Sequence, residues 1–98
     1  MITRIVRMEF QPEHVDDFLA QFKVIKSSIR HFPGVQHLEL HRDANQPNVF
    51  YTYSKWNDES DLEAYRQSDL FDGVWAQTKS WFAANARAYS MREELVVN

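Results

Sequence analysis

Cysteine is absent from this 98-residue chain, glycine occurs twice and proline three times. Without thiols there is no disulfide scaffold, no thiolate nucleophile, no iron–sulfur ligation and no Cys-containing zinc site. The two glycines, Gly34 and Gly73, are isolated, so neither a P-loop nor a dinucleotide-binding fingerprint is present. HExxH and GxSxG are also missing, which leaves common forms of metal-assisted and serine-based hydrolysis without support. The eleven Lys and Arg residues are dispersed and outnumbered by fourteen Asp and Glu, giving a net charge of -3. No basic block could track a phosphate backbone, so nucleic acid is not an expected partner. No apolar run reaches membrane-spanning length, and the stretch MITRIVRMEF is charged throughout, unlike a signal peptide. A cytoplasmic location with no membrane partner is expected.

What the chain does have is aromatic side chains: seven Phe, four Tyr and three Trp, 14% of all residues. The length fits a single domain over residues 1–98, with little interior to spare. A binding cleft therefore has to lie between layers or be completed by a second subunit.

Hydrophobic periodicity divides the chain into four strands and three helices. Residues 2–10 alternate as a strand, with Ile2, Arg4, Val6, Met8 and Phe10 on the face that suits the core. Pro12 is placed to start a helix whose stripe runs through Val15, Phe18, Leu19, Phe22, Ile25, Ile29 and Phe32. Pro33 and Gly34 turn the chain into a second strand, residues 35–42, with Gln36, Leu38, Leu40 and Arg42 on one face and Val35, His37, Glu39 and His41 on the other. Residues 43–48 form a turn, and the β-branched and aromatic run 49–56 is a third strand. Asn57 or Asp58 caps a short helix containing Leu62 and Tyr65. Ser68 or Asp69 caps another, with a stripe of Leu70, Phe71, Val74, Trp75, Thr78, Trp81 and Phe82. Residues 86–93 complete the set as a fourth strand, followed by a tail over 95–98.

This order predicts an α+β domain of ferredoxin-like βαββαβ type with its second helical region split. Helices cover one sheet face only. Strict alternation puts Ile5, Val35, Val49, Tyr51 and Tyr53 on the other, which points to a homodimer joined through the sheets; if bulges break that alternation, these residues are ordinary core.

Four histidines are present. His14 and His31, near the two ends of the first helix, suit solvated or capping roles. His37, Glu39 and His41 share a strand face, but residues at that spacing stand about 7 Å apart. A polar face is expected there, with no resident metal. The aromatics converge better: Phe22 from the first helix, Trp56 from the third strand, and Tyr65, Phe71 and Trp75 from the later helices can line a cleft between sheet and helices for a flat apolar ligand. The same side chains could instead fill a core.

The stretches FPGVQHLELHRD and VFYTYSKWNDESDLEAYRQSDLFDGVW resemble the antibiotic biosynthesis monooxygenase family of the dimeric α+β barrel superfamily. Phe32, Pro33, Gly34, Trp56 and the run from Tyr65 through Ser68 to Phe71 carry the resemblance most specifically. It implies a ferredoxin-like subunit that pairs with a copy of itself to close a barrel, and a pocket in each subunit. The family includes cofactor-free oxygenases, quinol monooxygenases and heme-degrading enzymes. The Asn, Trp and His of the heme branch look like Val6, Tyr65 and Trp75 here, so none is retained and heme degradation is not expected. Many members carry His where Tyr65 stands, which also removes an imidazole base.

The resemblance thus implies a cofactor-independent monooxygenase for a small aromatic, phenol or quinol. Tyr65 is the expected catalytic residue, as hydrogen-bond donor or proton acceptor, and Val6, Phe22, Trp56, Tyr65, Phe71 and Trp75 line the substrate site; Trp56 also anchors the strand end, its N–H bonded to backbone. No cofactor is implied. The alternative is a non-catalytic dimer of the same fold that binds a small apolar ligand or acts as an accessory protein.

Overall fold

Alternating side chains make Ile2–Glu9 a strand, β1, and Pro12 opens a single 3₁₀ turn, Pro12–His14, that leads into helix α1, Val15–Arg30. All 98 residues, Met1–Asn98, are described by a computed structural model. Strands β2, Val35–Arg42, and β3, Val49–Trp56, form a hairpin. Its turn is held by Asp43, whose carboxylate accepts the backbone N–H groups of Asn45 and Gln46 at 3.0 Å each. Helices α2, Glu59–Arg66, and α3, Asp69–Lys79, are the two parts of the split region, and β4, Arg87–Met91, closes the order.

The strands form one antiparallel sheet in the order β2-β3-β1-β4. Register assigns the faces. Rows Arg4–Ser54–Leu38 and Val6–Thr52–Leu40 look toward the helices, whereas Ile5–Tyr53–Glu39 and Arg7–Tyr51–His41 look away. Fold class and element order are therefore as expected: α+β, with helices over one sheet face.

Four local expectations change. A bulge between Val35 and His37 shifts the pairing so that Val35 opposes Trp56 while His37 opposes Lys55. Because a one-residue slip moves a side chain to the other face, Val35 joins the buried core with Ile2, Trp56 and Leu62, and the intervening Gln36 is exposed. Val49 is also fully buried within the chain rather than part of an open face. Helix α3 ends at Lys79, so Trp81 and Phe82 lie beyond the helix; the Phe82 backbone bridges to Phe10 and its ring packs against Phe10 and Trp75. Strand β4 is shorter than the expected 86–93, and every one of its residues is exposed.

Most of the buried side chains fall into two separate clusters. Met8, Phe10, Val15, Phe18 and Phe50 make one, in which the rings of Phe10 and Phe18 stack at 4.3 Å. Ile2, Val35, Trp56 and Leu62 make the other, flanked by Phe32 and Tyr65. A small domain usually has one contiguous core. Here the two are parted by the cavity described next.

Candidate functional site

The space arises from side-chain size. The inward positions of the central strands are small or short at Val6, Thr52 and Ser54, and the paired positions of β4 are Ala88 and Ser90. Helix α1 bridges this shallow floor with Phe22 and Ile25, while α2 and α3 add Tyr65, Phe71 and Trp75. The result is a cavity of about 300 Å³ lined by 21 residues, 15 of them hydrophobic. Its wall includes Met8 and Phe18 from one core cluster and Trp56 and Leu62 from the other. Protein interiors seldom hold voids much larger than a water molecule, so a space of this size distinguishes an open cavity from a filled core.

All six residues singled out from the sequence, Val6, Phe22, Trp56, Tyr65, Phe71 and Trp75, reach this wall. Four of them form a chain of rings: Trp56 to Tyr65 at 5.1 Å, Tyr65 to Phe71 at 5.2 Å and edge-on, and Phe71 to Trp75 at 5.7 Å and nearly parallel. Ser68 sets the bend between the two helices. Its hydroxyl accepts the Phe71 N–H at 3.1 Å and donates to the Tyr65 carbonyl at 2.6 Å, tying together the residues that bear the two rings.

Trp56 is 2% exposed, and its indole N–H donates to the Ser54 hydroxyl at 3.0 Å. The expected backbone acceptor is thus replaced by a side chain on the same strand face, and the indole presents a surface rather than a free donor to the cavity. Gln21 and Thr78 are likewise engaged with each other and with the Val74 carbonyl.

The Tyr65 hydroxyl is different. It takes part in no hydrogen bond of the chain, and no side-chain polar atom is sealed without a partner, so this hydroxyl keeps some accessible surface on a residue that lines the cavity. Burial pushes its pKa up to about 12. Desolvation penalises the phenolate, so the group holds its proton at neutral pH and can donate a hydrogen bond.

Two charged residues on the wall were not among the expected site residues. Arg4, from the inward face of β1, donates to the Ser90 hydroxyl at 2.9 Å, and Arg66, at the end of α2, meets Glu63 at 3.5 Å on the exposed side. Burial lowers the Arg4 pKa, as does the positive charge of Arg66, with Glu63 acting in the opposite direction. The signal was legible: Arg4 is a charged residue at an inward position between Ile2 and Val6.

No histidine lines the cavity. His37 and His41 both bond to the Glu39 carboxylate on the open sheet face, and these contacts hold the Glu39 pKa below the usual carboxylate range. No group of three His, Asp or Glu side chains has a geometry that could hold a metal ion. No helix is long and apolar enough to cross a membrane.

The sequence profile of the family described as antibiotic biosynthesis monooxygenase matches residues 1–76. No curated protein matches the chain at a significant level. Among solved structures, one described as an antibiotic biosynthesis monooxygenase is 18% identical, covers 95% of this chain and 98% of its own, and superposes with a TM-score of 0.89. A conserved protein from Methanosarcina mazei is also 18% identical, with 96% and 94% covered and a TM-score of 0.89. A protein from Mycobacterium tuberculosis is 13% identical, with 99% and 98% covered and a TM-score of 0.88. At these identities the structural likeness establishes the fold.

Proposed function

The chain belongs to the antibiotic biosynthesis monooxygenase family, and from that premise we propose that it is a cofactor-independent oxygenase of a small phenol or quinol. In this reading it works as a cytoplasmic homodimer whose sheets pair through their open faces to close a barrel. The observation that carries the activity is the aromatic cavity of about 300 Å³, into which Tyr65, Arg4 and Arg66 bring hydrogen-bond donors.

The electrons come from the substrate. A deprotonated, electron-rich ring reduces dioxygen; one oxygen atom enters a ring carbon, the other leaves as water, and the ring is oxidised to the quinone level. For hydroquinone the products are a hydroxyquinone and one water, which balances atoms and electrons without a further reductant. The side chains stabilise the anion and orient the ring. Phe71 and Trp75 offer flat surfaces, the protonated Tyr65 hydroxyl donates a hydrogen bond, and the guanidiniums favour the phenolate over the phenol. No carboxylate or imidazole lines the cavity, so the proton departs to solvent from a substrate acidified by positive charge.

The same lack of a protein base favours the second reading, a non-catalytic dimer that binds a small aromatic ligand. Oxygen consumption separates the two. The oxygenase reading expects uptake above autoxidation with at least one member of a panel of phenols and quinols, whereas uptake equal to background across the panel, with ligand binding intact, leaves the binding dimer.

A further inference from the structure

The cavity wall contains two permanent cations and no acidic side chain. Arg4 is half-buried and its hydrogen-bond partner is the neutral hydroxyl of Ser90. Arg66 has a carboxylate beside it, but the Glu63 side chain is 55% exposed and does not reach the wall. Partial burial disfavours a guanidinium's charge, and a second guanidinium nearby adds repulsion. Both effects act on Arg4, whose pKa is lowered by burial and by Arg66 and only partly restored by the Glu63 carboxylate. Such a pair gains most from a ligand that arrives already negative.

We propose that the cavity selects an aromatic ligand bearing a carboxylate, bound through the guanidiniums of Arg4 and Arg66 with its ring against Phe71 and Trp75. This rests on the reading of the cavity as the substrate site and narrows its substrate class. A phenol has a pKa near that of tyrosine, about 10, and is neutral at pH 7, so it cannot answer two fixed positive charges before it ionises. A carboxyl group with a pKa of about 4 is ionised throughout the physiological range, and the planar fork of arginine matches its two oxygens. The apolar remainder of the wall suits the ring. At about 300 Å³ the cavity lies at the lower end of ligand pockets, a size for one or two fused rings.

The test compares gentisate, which is hydroquinone carrying a carboxylate, with its methyl ester and with hydroquinone, by calorimetric titration at pH 7 under nitrogen so that binding is read without oxidation. Gentisate is expected to bind at least about tenfold more tightly than either neutral compound, and the advantage to shrink as salt is raised. In Arg4→Met and in Arg66→Met that advantage should fall by about tenfold while the ester changes by no more than about twofold. Arg66 lies at the exposed end of α2, so its replacement leaves the sheet intact, and the wild-type comparison requires no variant.

Equal or tighter binding of the ester, an advantage that survives both substitutions, or no gentisate binding up to about 5 mM would each overturn the inference. Oxygen uptake is measured separately on the same samples. An acid preference without uptake removes only the oxygenase reading, and uptake from neutral quinols with no acid preference removes only the carboxylate-bearing substrate.

Discussion

The ring of Tyr65 leans on the indole of Trp56, their centroids 5.1 Å apart and their planes inclined by 39°. The two residues share a wall but divide its work. Trp56 has its N–H committed to Ser54, while the Tyr65 hydroxyl has no partner within the chain.

Tyr65→Phe should therefore leave the fold nearly unchanged, by less than about 1 kcal/mol, because no hydrogen bond within the chain is lost. Oxygen uptake with a reactive quinol is expected to fall by about tenfold to a thousandfold if the hydroxyl stabilises the developing anion. The same variant has a pH signature. The folded-state pKa of about 12 lies above the ordinary value of 10.0, so the associated stability is intact below about pH 10 and is lost as pH rises from there through about 12. Chemical denaturation across that window should show wild type losing up to about 2–3 kcal/mol more than Tyr65→Phe. An unchanged uptake rate in the variant would remove Tyr65 from the chemistry.

Trp56→Phe is expected to act on stability first. It deletes the donor to Ser54 and part of a ring that is 2% exposed, at a cost of about 1–3 kcal/mol, or a fall in Tm of roughly 4–20 °C for a domain of this size. Thermal unfolding followed by circular dichroism checks this. Oxygen uptake assayed well below the transition should stay within about threefold of wild type; a larger loss with an unchanged Tm would make Trp56 a functional group rather than a wall.

Gly34 joins α1 to β2 with φ +91°, and a Cβ there would overlap the Asp61 side chain. Its carbonyl also accepts the Asn57 N–H at 2.8 Å. Gly34→Ala combines backbone strain with a clash against α2, so a loss of about 2–4 kcal/mol in a urea titration is expected. Asp61→Ala should recover none of the strain component, because φ remains positive whatever stands opposite.

Sedimentation equilibrium at micromolar concentration should give twice the subunit mass of 11.7 kDa. The open sheet face bears half-buried Ile5, Tyr51 and Tyr53 together with exposed Tyr89 and Met91, more apolar surface than a solvated face needs. A monomer would eliminate the barrel. His37→Ala, on that face and off the cavity wall, should retain oxygen uptake with an unaltered acidic limb of its pH profile.

Hemin should fail to titrate with one-to-one saturation, since the position that resembles the heme ligand is Trp75 and no histidine lines the cavity. A sharp Soret band at stoichiometric hemin would identify a ligand elsewhere in the chain and refute this assignment.

The sequence by itself determined the element order and the inward face of β1, because periods of two and of three to four fix which side chains share a face before any packing occurs, and its motifs around Gly34, Trp56 and Ser68 made the family legible. It left Ser68 and Asp69 as alternative caps for α3, and the structure selects Ser68. Only the tertiary structure decided that Val35 turns inward, since the bulge at Gln36 is a property of pairing with β3 and not of β2 alone. It likewise took Trp81 and Phe82 out of α3, where the Phe82 backbone bridge to Phe10, just past β1, and ring packing on Phe10 replace another helical turn. The cavity too is tertiary: short side chains on the sheet and large rings on the helices leave a space between two clusters that no local pattern encodes. Arg4 and Arg66 are 62 positions apart, and only the fold brings both charges to one wall.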